Sequence, residues 1–264
     1  MKRVTTSTLL RMKQHGEPIT MLTAYDAAFA RILDHSGVEA ILVGDSLGMV
    51  VQGRQDTLAV DLQQMIYHTQ MVSRGAARPL IIADLPFLSY TSPRQALESA
   101  GALMREGGAQ MVKLEGGEQI LDSVEQLTRF GVPVCAHLGL TPQSVHKIGG
   151  YKVQGRSEAA AASILAQSHR LEQAGADLLV LECVPAQLAA TVRAELTIPV
   201  IGIGAGRGCD GQVLVLHDIL GITLGAPPSF SHNFLAGRDS IPAAVAAYVA
   251  AVRDGSFPTP EQSF

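Results

Sequence analysis

The chain has 264 residues, of which 47% are hydrophobic and 17% are charged, and its formal net charge is −4. A chain of this length and composition can bury a large core. The scattered charges of both signs exclude the basic patch of a protein that binds nucleic acid or an anionic membrane.

No apolar run approaches the roughly 18 residues of a membrane span. Lys2 and Arg3 precede polar residues, so we expect no signal peptide. The 3 cysteines are widely spaced and form neither a disulfide framework nor a zinc motif, which suits a reducing cytoplasm.

Apolar runs that end at turn residues alternate with helical patterns along the chain. Short apolar runs predict strands, and apolar residues spaced three or four positions apart predict helices. The predicted strands are 19–24, 40–44, 79–83, 110–114, 132–136, 177–181, 198–203 and 213–216. The predicted helices are 5–14, 27–37, 61–73, 92–106, 118–127, 157–174, 188–196 and 239–252. The polar stretch 139–156 could be either a mobile lid or a solvated surface loop, and 258–264 is predicted as a loose tail.

Strand and helix alternate about eight times, which favours a single-domain (β/α)8 TIM barrel of the α/β class over residues 1–264. An open doubly wound sheet is the alternative, but the glycines of a dinucleotide fingerprint are missing after the first strand. Only about ten residues separate the last two predicted strands, which is short for a helical crossover. Either that helix has shrunk to a turn or the assignment of the eighth strand to 213–216 is wrong.

Ionisable residues follow the predicted strands at corresponding positions: Asp45, Asp84, Glu115, His137 and Glu182. Side chains two positions apart share a strand face, so Asp45 should point the same way as Ile41 and Val43, and Glu115 the same way as Lys113. If these faces line the barrel, four carboxylates, one lysine and one histidine converge on its carboxyl-terminal mouth. Each acid could instead be a helix cap or a partner in a structural ion pair, and His137 could be a hydrogen-bonded structural residue. The predicted roles of Cys135 and Cys183 are those of small core residues.

Several carboxylates cannot all ionise side by side unless a cation offsets their repulsion. Lys113 supplies one positive charge. The negative charge that Lys113 leaves unbalanced predicts a hard divalent ion held by oxygen ligands. Mg²⁺ is the expected ion, with Mn²⁺ as an alternative, because no Cys/His set suits zinc.

A glycine-rich segment, 202–206, follows the seventh predicted strand. In barrels this position can bind phosphate through backbone N–H groups. Because no well-formed helix follows, we prefer the interpretation of a tight turn that allows close packing.

Several strings of residues are specific enough to compare with known families. They are Val43-Gly44-Asp45-Ser46-Leu47-Gly48, Ala83-Asp84-Leu85-Pro86-Phe87, Val112-Lys113-Leu114-Glu115-Gly116-Gly117, His137-Leu138-Gly139-Leu140-Thr141-Pro142-Gln143, residues 149–156 and Leu181-Glu182-Cys183. Together they closely resemble ketopantoate hydroxymethyltransferase, and the likeness runs from Thr20 to beyond Phe230. The resemblance implies a (β/α)8 barrel and Mg²⁺-dependent transfer of a hydroxymethyl group from 5,10-methylenetetrahydrofolate to 3-methyl-2-oxobutanoate. The product would be 2-dehydropantoate, on the route to pantothenate. A homo-oligomer, in this family usually a decamer, is also implied.

The same resemblance implies roles for individual residues. Asp45 and Asp84 would ligate the metal, with Glu115 in its shell. Glu182 would be the base that removes a proton. The predicted substrate-binding residues are Asp45, Ser46, Asp84, Lys113 and, because it shares the strand-end position of the acids, His137.

Two other functions stay open at this point. The first is a Mg²⁺-dependent carbon–carbon lyase or mutase of the isocitrate lyase type, although the usual Lys-Cys-Gly loop of that class is not evident. The second is a non-catalytic barrel that binds an oxo acid.

Overall fold

A computed structural model of the chain describes residues 2–223 and 225–264. Within these ranges, eight parallel strands form a closed barrel in chain order, and the last strand pairs with the first. The predicted (β/α)8 barrel is therefore confirmed. The strands are β1 (Ile19–Thr23), β2 (Ala40–Val43), β3 (Leu80–Asp84), β4 (Met111–Glu115), β5 (Val134–Gly139), β6 (Leu178–Glu182), β7 (Val200–Ile203) and β8 (Gly211–Leu214).

Helices cover the outside of the barrel and follow most of the strands. They are α1 (Thr6–His15), α2 (Ala27–His35), α3 (Leu47–Val50), α4 (Leu62–Gly75), α5 (Pro93–Ala102), α6 (Leu121–Arg129), α7 (Val145–Ile148), α8 (Glu158–Gln173), α9 (Ala186–Glu195), α10 (Leu216–Ile219) and α11 (Ile241–Arg253). Short polar side chains fix several helix starts; Ser92 accepts from Gln95 N–H, with Pro93 at the first helical position. No helix in the described ranges is long and apolar enough to cross a membrane.

The strands are buried on both faces, which explains their nearly continuous apolar sequences. One face of each packs against the helices, in a large outer core. The other face fills the barrel interior, with these residues at the inward positions: Ile19, Met21, Ala40, Leu42, Leu80, Ile82, Met111, Cys135, Leu178, Val180, Ile201 and Val213.

Helix α1 closes the amino-terminal end of the barrel, opposite the mouth. Leu9 packs against the inner core. Lys13 Nζ lies 2.9 Å from Asp210 Oδ2, and Arg193 Nε lies 2.7 Å from Asp210 Oδ1. Asp210 also accepts the Val200 N–H at 2.9 Å. One buried carboxylate therefore joins α1, α9 and β7 just before β8 begins.

Each strand differs from its predicted bounds by one to three residues, and the eighth and fifth strands are displaced most. The eighth strand is Gly211–Leu214 rather than 213–216, and the chain from β7 to β8 is a turn, one of the two alternatives above. A Cβ on Gly211 would lie 2.2 Å from the Ile19 oxygen, so the close approach of β8 to β1 requires a glycine, which weakens the strand signal. The fifth strand begins after Pro133, which cannot donate to the ladder, and continues past His137.

Two segments predicted as irregular contain structure. The loop 139–156 includes a 3₁₀ turn (Pro142–Ser144) and α7. The prediction of a loose tail is wrong, because Pro258 is buried, Pro260–Gln262 form a 3₁₀ turn and the Phe264 oxygen accepts the Ala186 N–H at 2.7 Å.

Candidate active site

The carboxyl-terminal ends of β2 to β6 bring the predicted ionisable residues together at the mouth of the barrel. Strand register places Asp84 beside Lys113 and Glu115 beside His137. Glu182 ends the next strand. Asp45, Asp84, Lys113, Glu115 and His137 are all at most 6% exposed, so these charges interact in a medium that screens them poorly.

The parity argument holds for three of the four acids. Asp84, Glu115 and Glu182 continue the inward faces of β3, β4 and β6. It fails for Asp45, because Ile41 and Val43 face the helices, whereas Ala40 and Leu42 face the interior. Alternation applies only while the chain is extended. Strand β2 ends at Val43, and the turn that follows carries Asp45 to the mouth.

Lys113 is the positive centre of the cluster. Its Nζ lies 2.9 Å from Asp84 Oδ1 and 3.7 Å from Glu115 Oε1. Burial lowers the pKa of Lys113, but Asp84, Glu115 and Asp45 outweigh burial and raise the pKa well above its ordinary value. The side chain is therefore a permanent ammonium, suited to binding an anionic group rather than to acting as a nucleophile.

His137 lies between two carboxylates. Its Nδ1 is 3.4 Å from Glu115 Oε1, and its Nε2 is 3.2 Å from Glu182 Oε2. Burial and Lys113 lower the pKa of His137, but Glu115 and Glu182 outweigh them and raise it to about 9. The imidazole is therefore cationic at neutral pH. Its Nε2 lies close enough to Glu182 to orient that carboxylate.

Asp45 and Asp84 form the least compensated pair. The Asp45 N–H donates to Asp84 Oδ2 at 3.1 Å. Burial, Asp84 and Glu115 raise the pKa of Asp45 well above its ordinary value. Burial also raises the pKa of Asp84, although Lys113 opposes it. Asp84 Oδ1 is paired with the Lys113 ammonium at 2.9 Å, which leaves Asp45 as the acid of the pair with no cation beside it among the described residues.

These two carboxylates fit a hard divalent cation. In the described ranges, no group of three or more His, Cys, Asp or Glu side chains is arranged to hold a metal ion. Mg²⁺, however, typically takes only one or two protein carboxylates and completes its shell with water and substrate. A pair of buried carboxylates whose pKa values are both raised matches that requirement.

Gln143 is a residue of this site that the sequence reasoning missed. Its Nε2 donates to Asp45 Oδ2 at 2.8 Å and to the Leu85 oxygen at 2.9 Å, while its own N–H donates to Glu115 Oε2 at 3.0 Å. The Tyr90 hydroxyl donates to its side-chain oxygen. Hydrophobic periodicity cannot place a residue in a loop. The sequence signal for Gln143 is therefore its position at the end of the string 137–143, which resembles the family.

Ser46 is positioned by a neighbouring hydroxyl. The Tyr25 and Ser46 hydroxyl oxygens are 2.9 Å apart. A Cβ on Gly44 would lie 2.8 Å from Ser46 Oγ, so glycine lets the serine turn back over the end of the strand. The turn thus directs both Asp45 and Ser46 into the mouth.

Glu182 lies at the border of the ionic cluster. Its side chain is 15% exposed, against 3% for Glu115 and His137. The next residue, Cys183, has a φ of 48° in the left-handed region and is buried, as Cys135 is. A non-glycine residue in that conformation marks a sharp, over-determined turn. The turn ends β6 directly after the Glu182 side chain enters the cavity.

One cavity of about 500 Å³ is lined by the ionisable groups and by Ser46: Asp45, Ser46, Asp84, Lys113, Glu115, His137 and Glu182. The acids, Lys113 and His137 line the arc formed by β2 to β6. The arc after β7 and β8 is mostly apolar and is lined by Val215, Pro228, Phe230 and Phe264. The mouth therefore has an ionic side and an apolar side.

The glycine-rich segment 202–206 belongs to the apolar side. A Cβ on Gly204 would lie 2.9 Å from the Phe230 ring and 3.2 Å from the Phe264 ring, and a Cβ on Gly206 would lie 2.5 Å from the Ala186 Cβ. Gly204 and Gly206 also have positive φ values of 59° and 74°. These contacts agree with the preferred interpretation of a tight turn that allows close packing.

Comparison with known proteins gives a consistent result. A family model described as ketopantoate hydroxymethyltransferase matches residues 3–260. The 3-methyl-2-oxobutanoate hydroxymethyltransferase of Nitrosococcus oceani is 58% identical over 264 residues, covering 100% of both chains. The protein of the same name from Shewanella amazonensis is also 58% identical, with the same coverage.

A solved structure with a related fold is that of 2,3-dimethylmalate lyase, a member of the PEP mutase/isocitrate lyase superfamily. It has a TM-score of 0.54 and 19% sequence identity, covering 76% of this chain and 72% of that chain. At this identity the likeness concerns the barrel fold alone.

Proposed function

Because the chain belongs to the ketopantoate hydroxymethyltransferase family, we propose that it transfers a hydroxymethyl group to 3-methyl-2-oxobutanoate and forms 2-dehydropantoate. The donor in this proposal is 5,10-methylenetetrahydrofolate, and the reaction depends on Mg²⁺, with Mn²⁺ as a substitute. The observation that carries the proposal is the convergence of two metal-competent carboxylates, one ammonium and a separate carboxylate on one cavity.

Asp45 and Asp84 are the proposed metal ligands, and Glu115 belongs to the surrounding shell. A bound divalent cation would supply positive charge at the keto and carboxylate oxygens of the oxo acid as negative charge develops there. Asp45 is already held in place by Gln143. Glu115 is held by Lys113, His137 and the Gln143 N–H, and burial, which raises the pKa of Glu115, is outweighed by Lys113 and His137. Glu115 is therefore ionised, with its charge already balanced inside the cluster.

Lys113 and Ser46 bind the oxo acid in this proposal. The permanent ammonium of Lys113 suits the substrate carboxylate. The Ser46 hydroxyl, fixed by Tyr25, is available as a donor. His137 contributes a second positive charge on the same side of the cavity.

Glu182 is the proposed catalytic base. It is the acid of the cluster that the proposal places neither on the metal nor in its shell, and the His137 ring lies 3.2 Å from its Oε2. Its carboxylate would accept the C3 proton of the oxo acid. Water cleaves the two C–N bonds of the donor's methylene bridge, which gives tetrahydrofolate and a carbon at the oxidation level of formaldehyde. The C3 carbon then adds to that carbon, whose oxygen takes up a proton and becomes the new hydroxyl group. Glu182 suits this step because it lies at the border between the two sides of the cavity.

Proton exchange at C3 tests the proposal without the donor. Purified full-length protein with Mg²⁺ and 3-methyl-2-oxobutanoate in deuterated water should replace the C3 hydrogen by deuterium, as followed by proton NMR. EDTA should stop the exchange, and Asp84→Asn should slow it. Absence of exchange in folded, metal-loaded protein would contradict the proposal and favour a barrel that only binds the oxo acid. Cleavage of a carbon–carbon bond would instead favour a lyase.

The homodecamer and the cytoplasmic location are part of the same proposal. The decamer rests on the family resemblance, and the location rests on the reduced cysteines expected from their spacing. They stay predictions.

A further inference from the structure

We propose that Asp218 binds the 2-amino-4-oxopyrimidine edge of the pterin ring of the folate donor. The proposal rests on the proposed function and assigns the part of the cavity that the oxo acid does not use.

Asp218 is a buried carboxylate on the apolar side of the mouth. It belongs to α10, directly after β8, and lines the cavity while only 6% exposed. Its Oδ1 accepts a hydrogen bond from the Thr223 hydroxyl. Within the described ranges, no lysine, arginine or histidine pairs with it, and its Oδ2 has no hydrogen-bond partner.

A buried carboxylate without a cationic partner is costly unless donors satisfy it. Burial accordingly raises the pKa of Asp218, and the Thr223 hydroxyl only partly opposes this. The other acids of the mouth differ in this respect. Asp45 accepts from Gln143, Asp84 and Glu115 lie beside Lys113, and Glu182 lies beside His137. Among the residues that the structure describes, Asp218 is the acid that lines the cavity after β8 and has no cationic partner.

The pterin edge supplies the donors that this acid lacks. A 2-amino-4-oxopyrimidine presents an exocyclic N–H and a ring N–H side by side, and a carboxylate can accept both in a bidentate pair. The oxygen that already accepts from Thr223 keeps a free lone pair for the second bond. An oxo acid carries no such pair of donors and would be repelled by Asp218.

The walls near β7 suit a flat ring. Phe230 and Phe264 both contact Gly204, which lies just after β7. Aromatic side chains can pack against the faces of a heteroaromatic ring in stacked or edge-on arrangements. Glu182 ends β6, directly beside β7, and its register partner is Ile203. A pterin on this side would therefore bring its one-carbon unit next to the proposed base.

The other role open to Asp218 is structural, since its bond to Thr223 could only fix the turn after α10. Thr223→Val is the matched control, because it removes that bond and leaves the carboxylate. Asp218→Asn keeps the size of the side chain but removes its charge and one acceptor.

The experiment measures binding of two ligands to the full-length protein by anaerobic calorimetry. One ligand is tetrahydrofolate, and the other is an analogue that lacks the 2-amino group. The wild-type protein should bind the analogue roughly 10- to 100-fold more weakly, the range expected when a charge-assisted hydrogen bond is lost. Asp218→Asn should bind tetrahydrofolate more weakly by a similar factor and should discriminate much less between the ligands. Thr223→Val should keep the discrimination.

Two results would overturn the assignment. One is wild-type affinity of Asp218→Asn for tetrahydrofolate, and the other is undiminished discrimination in that variant. Thermal melting and binding of 3-methyl-2-oxobutanoate show whether the variant is folded. A failure of the proposed function gives a different result, because the wild-type protein would then neither exchange the C3 proton nor bind tetrahydrofolate. The Asp218 assignment would be rejected together with the proposed function in that case.

Discussion

At the scale of single residues, the carboxylates of the site outnumber its positively charged side chains. Lys113 lies 2.9 Å from Asp84 and 3.7 Å from Glu115, and His137 lies between Glu115 and Glu182. These two side chains leave part of the charge of the four carboxylates unbalanced, and burial raises the pKa of Asp45 and Asp84. This imbalance supports the proposal that Asp45 and Asp84 hold a metal ion and that Glu182 accepts the proton.

The first residue-scale prediction concerns Glu182. Glu182→Gln keeps the side-chain size but removes the basic oxygen. C3 exchange should fall by roughly 10²- to 10⁴-fold, the usual contribution of a general base. Binding of Mg²⁺ and of the oxo acid, measured by calorimetry, should persist because neither needs this side chain directly. Near-normal exchange would remove Glu182 as the base. His137 would be a poor replacement because its pKa is raised to about 9.

The second residue-scale prediction concerns Gln143, which positions Asp45. Gln143→Leu removes the side-chain bonds to Asp45, Leu85 and Tyr90. Loss of a residue that orients a metal ligand typically weakens metal binding by roughly 10- to 100-fold, so Mg²⁺ or Mn²⁺ affinity should fall in that range. Gln154→Leu is the control in the same loop, since that side chain bonds only to the Lys152 oxygen. Equal metal affinity in both variants would show that Gln143 does not position the site.

At the scale of elements, the mouth depends on a barrel that is fixed at its opposite end. Asp210 joins α1, α9 and β7 through Lys13, Arg193 and the Val200 N–H. Lys13 and Asp210 are nearly buried, with side chains 11% and 1% exposed. This pairing keeps the last two strands in register with the first, although no helix connects them.

Asp210→Asn tests this role. Removing one partner of a buried ion pair leaves the other uncompensated, and the free energy of unfolding should fall by roughly 3–5 kcal/mol. Chemical denaturation measures the change. Arg94→Ala, which breaks a fully exposed pair with Glu98, should leave stability almost unchanged. Equal stabilities of the two variants would show that Asp210 is not a structural anchor.

The elements also show where sequence reasoning succeeds and where it fails. Asp84, Glu115 and Glu182 could be placed because each continues an extended strand, so alternation holds as far as the acid. Asp45 was assigned the wrong strand face, because a turn at Gly44 interrupts the alternation. Gln143 could not be placed, since its contacts come from a loop that crosses three strand ends. The predicted eighth strand begins two residues too late because Gly211 is a poor strand residue. The close approach of β8 to β1 nevertheless requires a glycine at this position.

At the scale of the whole molecule, the barrel alone does not determine the chemistry. The same architecture, at 19% identity, occurs in a lyase. The chemistry lies in how one cavity is divided, with buried charges after β2 to β6 and apolar walls after β7 and β8. The two sides fit an anionic oxo acid and a flat heteroaromatic donor, and Glu182 lies between them.

The most direct measurement is complete turnover by the purified full-length protein. With 3-methyl-2-oxobutanoate, 5,10-methylenetetrahydrofolate and Mg²⁺, mass spectrometry should detect 2-dehydropantoate. EDTA should abolish its formation, and added Mg²⁺ or Mn²⁺ should restore it, because Asp45 and Asp84 are the proposed metal ligands. Absence of the product with folded, metal-loaded protein, or undiminished formation in EDTA, would contradict the account.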